Sequence, residues 1–109
     1  MDEITTKTFN KKVLKSKIPI LVFFTGKFCY PGKRIEPILN DLSEELGDQI
    51  KFVKFMVEED TFDFAKGLYL KAVPTLLVFK NGVKVNSLIG FEAEPVLRKF
   101  IEESISSCK

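Results

Sequence analysis

The sequence predicts one α/β domain, a central mixed sheet of four or five strands flanked by helices. Three observations carry that expectation. Between Ile18 and Phe24 the chain is apolar except for Pro19, the mark of a strand buried on both faces. Directly after it, Ile35, Ile38, Leu39, Leu42 and Leu46 recur at helical spacing. Further on, Asn81-Gly82 is a strong hairpin signal between two apolar runs. Strands alternating with helices give a sheet that is parallel in its first half, and the hairpin makes it antiparallel in its second.

The elements follow in order. A weak strand is expected around Asp2 to Thr6, then a short helix from Thr8 to Lys15 with Phe9, Val13 and Leu14 as its apolar face. The first strong strand covers Ile18 to Thr25. The main helix runs from Pro31 to Leu46, with Gly47 as its C-cap and Pro37 as an internal kink. Ile50 to Val57 carries Phe52, Val53, Phe55 and Met56 and reads as the next strand. Asp60 is expected to cap a short helix through Ala65. Thr75 to Phe79 and Val83 to Ile89 form the hairpin. Val96, Leu97, Phe100, Ile101 and Ile105 mark a closing amphipathic helix.

Composition narrows the function. The chain has 109 residues, 45% of them apolar, with eleven Phe, which suffices for one packed core and not for two, so residues 1–109 are read as a single domain. A net charge of +2 gives no reason to expect nucleic acid or a membrane surface as partner. The absence of histidine removes Ser-His and Cys-His catalysis and the commonest zinc ligand. No metal site is expected. The Glu58-Glu59-Asp60 run has no second ligand cluster and reads as a solvated face. The N-terminus is polar and no apolar run approaches spanning length, so a cytoplasmic, monomeric protein is expected. Cys29 and Cys108 do not make a disulfide framework.

Cys29 is the residue that carries chemistry. It lies between a buried strand and a helix start, where free backbone N–H groups and the helix dipole favour a thiolate. Lys27, Lys33 and Arg34 are close in sequence and add positive charge. The competing reading is an inert structural cysteine. Three positions on, where a Cys-x-x-Cys redox motif would have its second thiol, the chain has Gly32. Cys108, near the end of the sequence, is read as a tail thiol, free or intermolecular.

With these residues in place the chain resembles the thioredoxin family, and the resemblance covers nearly its whole length. Ile20-Leu21-Val22 running into Phe28-Cys29-Tyr30-Pro31-Gly32-Lys33 is similar to the family's strand and its Trp-Cys-Gly-Pro-Cys-Lys motif. Pro37-Ile38-Leu39 resembles the kinked active-site helix. Ala72-Val73-Pro74-Thr75 is similar to the segment where the family has a cis proline. Phe79-Lys80-Asn81-Gly82, followed by Ile89-Gly90-Phe91, resembles the family's hairpin and the glycine after it. The resemblance implies the thioredoxin fold, a cis Val73–Pro74 peptide and a substrate surface around Cys29 made by Phe28, Tyr30, Pro31, Val73, Pro74, Gly90 and Phe91. Ile89 is expected either in that ring or in the core.

The departures are informative. Gly32 replaces the resolving cysteine. Phe23 replaces a buried aspartate that serves that thiol, and a Cys introduced at position 32 is expected to find room against Phe23 or to point past it. Thr25 and Phe28 replace two tryptophans. Lys54 matches the lysine that partners the aspartate and is expected to have lost its partner; it and Lys33 are carried as candidate thiolate-stabilising cations. Gly32 is read as a native departure, a change introduced to trap mixed disulfides, or the mark of a dead site. The paired departure at Phe23 favours the first.

The expected function is monothiol thiol–disulfide exchange. Cys29 forms mixed disulfides with protein substrates that carry disulfides or reactive thiols. No bound cofactor is expected, and an outside thiol, such as glutathione or a second cysteine on the substrate, is expected to resolve the mixed disulfide. Two other readings remain: a non-catalytic binding module using the patch around Cys29 and Pro74, and a Cys29–glutathione [2Fe–2S] site, which Pro31 would crowd.

Overall fold

The structure is a computed structural model and describes residues 1–106. Cys108, whose role the sequence left open, lies outside the described residues. The elements in order are β1 (Asp2–Ile4), α1 (Thr6–Phe9), a π-helical turn (Asn10–Leu14), β2 (Ile20–Thr25), α2 (Tyr30–Leu46), β3 (Lys51–Met56), a short 3-10 turn (Glu59–Thr61), α3 (Phe62–Gly67), β4 (Thr75–Lys80), β5 (Val83–Ile89) and α4 (Glu94–Ser106). One five-stranded sheet has the order β1-β3-β2-β4-β5. β1, β3 and β2 are parallel, and β4 and β5 are antiparallel. The weak strand at the N-terminus is therefore real and forms one sheet edge.

β2 is central, and its residues from Ile20 to Phe24 are all apolar. Its six residues are all buried, and the pleat sends the five apolar ones to two cores. Leu21 and Phe23 join Ile35, Leu39, Leu76, Leu97 and Ile101 beneath α2 and α4. Ile20, Val22 and Phe24 join Phe9, Val13, Phe55 and Phe79 beneath α1, with Phe64 of α3 packed against them. Phe64 lies edge-on to Phe9 at 5.0 Å and stacks on Phe55 at 5.3 Å between ring centroids. Each fully buried Phe stabilises the fold by about 1.5–3 kcal/mol relative to an exposed one.

Several expectations need correction. The first helix begins at Thr6, not Thr8. Thr5 caps it by accepting from the Lys7 N–H at 3.2 Å, and Thr8 Oγ1 accepts from the Thr5 N–H at 2.9 Å, so Thr8 closes a capping box from inside. Ile18 is 44% exposed and outside β2, because Pro19 has no N–H for the ladder. Asp60 caps nothing. The turn before α3 is closed by Thr61 Oγ1, which accepts from the Glu58 N–H at 2.7 Å. Gly47 does end α2, but with φ −61° rather than a left-handed conformation. Its constraint is space, since a Cβ there would stand 2.6 Å from the Ser43 carbonyl oxygen.

The end of α3 uses an unusual residue. The Leu70 N–H donates to the Ala65 carbonyl at 3.2 Å and the Tyr69 N–H to the Lys66 carbonyl at 2.9 Å, the paired bonds of a Schellman C-cap. The left-handed position falls on Tyr69, at φ 61°, with its ring 83% exposed. The hairpin turn, by contrast, has the expected residues, with Asn81 at φ 53° and Gly82 at φ 80°.

α4 is fastened to α2 by Arg98, whose guanidinium forks to the Glu45 carboxylate and donates to Glu94 at 2.7 Å. The Arg98 hydrogen bond holds the Glu45 carboxyl below the usual carboxylate range. Among the described residues no helix is long and apolar enough to cross a membrane.

Candidate functional site

Cys29 is the N-cap of α2. Its backbone is extended, at φ −90° and ψ 97°, and its carbonyl accepts the first helical bond from the Lys33 N–H at 3.1 Å. Its own N–H donates to the Gly26 carbonyl at 3.2 Å, which closes the loop from β2. The sulfur then does what an N-cap oxygen does elsewhere: Sγ accepts from the Gly32 N–H at 3.4 Å. Pro31, in the first turn, fits because its missing N–H would have no helical partner there. The thiol is half-buried and carries no disulfide. A negative sulfur at this place would face the amide end of a seventeen-residue helix.

The residues named around Cys29 do assemble. Val73 and Cys29 both flank Gly26, where a Cβ would lie 3.8 Å from Val73 Cγ2 and 3.9 Å from Cys29 Cβ. The Val73–Pro74 peptide is cis. The Pro74 carbonyl accepts from the Gly90 N–H at 2.9 Å, and the φ of 90° at Gly90, rather than any lack of space, favours glycine there. Phe91 follows, and the Arg34 guanidinium of α2 sits 4.4 Å above its ring. Phe28 is 85% exposed and Tyr30 78% exposed, while Val73, Ile89 and Phe91 are each more than a third exposed. Ile89 is thus not a core residue: a strand-end position on an edge strand turns it outward.

The cations behave differently from expectation. Lys27 sits 5.7 Å above the Phe28 ring and Lys33 5.8 Å above the Tyr30 ring, so with Arg34 all three lie over aromatic faces on the rim. Among the described residues, the hydrogen bond to the sulfur comes from the Gly32 amide alone. Lys54 is not a lysine without a partner. It lies beside Phe23 in the β2–β3 register, and its Nζ reaches Glu36 Oε2 of α2 at 2.9 Å, with both side chains less than a third exposed. Phe23 leaves no polar atom for Lys54 to meet, so the ammonium runs along the sheet to the helix. Its charge is engaged there by Glu36.

The neighbour of Gly32 is also not the expected one. A Cβ on Gly32 would overlap Thr25 Oγ1, and it would stand 3.3 Å from Thr25 Cβ and 3.2 Å from Cys29 Sγ. Phe23 is not among these contacts. It points into the core beneath α2 and is fully buried. Thr25 appeared in the sequence only as a replaced tryptophan. Its position at the end of β2, opposite the first turn of α2, was the available signal, and only the packing of the helix on the strand gives it meaning.

Comparison with known proteins agrees with this geometry. A family model described as Thioredoxin matches residues 1–103. The chain is 32% identical over 104 residues to a thioredoxin from Rickettsia felis, covering 95% of this chain and 98% of that protein. It is 31% identical over 104 residues to a thioredoxin from Rickettsia conorii, with the same coverage of both chains. It is 29% identical over 102 residues to thioredoxin 1 of Synechococcus elongatus, covering 94% of each.

Proposed function

The chain belongs to the thioredoxin family, and from that premise we propose that it performs thiol–disulfide exchange by a monothiol mechanism centred on Cys29. The observation that carries the proposal is the pairing of Cys29, an N-cap thiol at a helix start, with Gly32 at the place of the second thiol. The Cys29 thiolate attacks one sulfur of a substrate disulfide. A bond forms between Cys29 and that sulfur, and the other sulfur leaves as a thiolate that takes a proton from solvent. Gly32 cannot attack the mixed disulfide. An external thiol, glutathione by chemical class, attacks instead, releases Cys29 as thiolate and leaves the substrate sulfur bound to glutathione. A second glutathione then releases the substrate thiol, and oxidised glutathione carries away the two electrons.

The substrates of this proposal are proteins with disulfides or reactive thiols, docked on Phe28, Tyr30, Pro31, Val73, Pro74, Gly90 and Phe91. The protein acts as a cytoplasmic monomer. A groove lined by Val57, Phe62, Leu70 and Val73 continues the apolar surface away from the thiol. The high exposure of Phe28 and Tyr30 also favours a second reading, a binding module that needs the patch and not the thiol.

The test is turnover with two reductants. Glutathione at millimolar level should support reduction of a glutathionylated peptide, and thioredoxin reductase with NADPH should give negligible insulin reduction. Efficient reductase-driven turnover by Cys108→Ser protein would refute the monothiol mechanism. Partner binding that survives Cys29→Ser, without any turnover by the unmodified protein, would favour the binding module.

A further inference from the structure

We infer that Thr25, and not Gly32 alone, holds this site to a single thiol, by filling the space a second thiol would need. The inference rests on the monothiol reading above and extends it to a residue on the sheet. Gly32 is buried in the first turn of α2 with its open side toward the end of β2. Its missing Cβ would stand 3.2 Å from Cys29 Sγ, so this is the ground from which a resolving thiol would approach the sulfur. Thr25 Oγ1 already occupies it, with Thr25 Cβ 3.3 Å from the same point.

Thr25 has little freedom to withdraw. It is 3% exposed, it pairs with Met56 across β2 and β3, and its carbonyl accepts from the Val57 N–H at 2.7 Å. It is β-branched, so two of the three staggered positions on Cβ carry a heavy atom, and a rotation that moves the hydroxyl away tends to bring in the methyl. A side chain at position 32 must therefore displace a packed residue on a central strand, where overpacking typically costs about 1–3 kcal/mol. The inner side of the Cys29 sulfur is closed, and a mixed disulfide on Cys29 is open to attack only from the solvent side.

The experiment compares Gly32→Cys alone with Gly32→Cys combined with Thr25→Ala or with Thr25→Val, all in a Cys108→Ser background. Each protein is equilibrated in glutathione buffers, and the Cys29–residue 32 disulfide is quantified by alkylation and intact mass. The Thr25→Ala combination should close the bond at least about tenfold more favourably than Gly32→Cys alone. The Thr25→Val combination, which keeps the shape without the hydroxyl, should match Gly32→Cys alone. Equal closure with and without Thr25→Ala overturns the inference, and so does closure with Val as ready as with Ala. Melting of the reduced proteins gives a second readout if Gly32→Cys folds poorly: Thr25→Ala should restore Tm, and no restoration overturns the inference. Failure of the monothiol reading is seen separately, as the absence of a Cys29–glutathione adduct on the unmodified protein.

Discussion

The Gly32 amide donates to the Cys29 sulfur at 3.4 Å, and this single contact joins the helix start to the thiol chemistry. Cys29 is at once the N-cap of α2 and the candidate nucleophile. The two roles make different demands on the residue. A cap needs an acceptor, which oxygen supplies better than sulfur. A nucleophile for disulfide exchange needs the sulfur.

Cys29→Ser should therefore separate stability from chemistry. Serine is a favoured N-cap, so the change in unfolding free energy should stay within about 0.5 kcal/mol. Mixed-disulfide formation should disappear, as read by intact mass after incubation with oxidised glutathione. A large loss of stability would show that the sulfur is packed as a core group and that the capping account is wrong.

Phe23→Asp should be among the most destabilising single changes in the chain. The position is fully buried in the core beneath α2, and Lys54, the cation beside it in the sheet, is engaged by Glu36. A carboxyl placed there meets desolvation first, and losing a buried Phe costs about 3–5 kcal/mol before the charge is counted. The sign of the pH dependence follows. Burial raises the folded-state pKa of the new carboxyl, so between the unfolded and folded values the native state binds more protons. Stability of this variant should fall as pH rises from about 4 toward neutrality. Urea unfolding across that range checks it; a flat profile would mean that Lys54 leaves Glu36 to pair with the new aspartate.

Tyr69→Gly should stabilise the protein. The left-handed conformation costs a residue with a side chain about 1–2 kcal/mol, and the exposed ring returns little packing. After the entropy that glycine adds to the unfolded chain, a net gain of about 0.5–1 kcal/mol is expected by chemical denaturation. A loss would reveal that the Tyr69 ring contributes more than its exposure suggests.

Arg98→Met should flatten the acid side of the stability profile. The Arg98 hydrogen bond lowers the Glu45 carboxyl in the folded state, so Glu45 contributes stability that is present above its unfolded pKa and is lost as pH falls through the lowered folded value. With Arg98 removed, that loss has no source at Glu45. Both groups are solvent-facing, so the effect is modest and should shrink further in salt. Thermal melting from pH 6 down to the acid transition, at low and high salt, measures it.

The sequence by itself determined the layout. The unbroken apolar run of β2, the helical spacing of α2 and the Asn81-Gly82 turn depend on neighbours close in sequence, and period and turn chemistry report such neighbours directly. The place of Cys29 at a helix start was legible for the same reason, whereas Val73, Pro74, Gly90 and Phe91, distant in sequence, were named only through the family resemblance. Helix starts at Thr5 and Glu58 were less legible, because several Thr, Asp and Glu residues competed for each cap and backbone geometry chose between them. What only the tertiary structure decided was which side chains meet across elements. Lys54 finds Glu36 on α2, three cations rest on aromatic rings, and Thr25 rather than Phe23 faces Gly32. The pleat is the physical reason for the last. Phe23 and Thr25 lie on the same face of β2, but a rise of about 3.3 Å per residue carries Thr25 to the strand end, under the first turn of α2, and leaves Phe23 beneath the helix body.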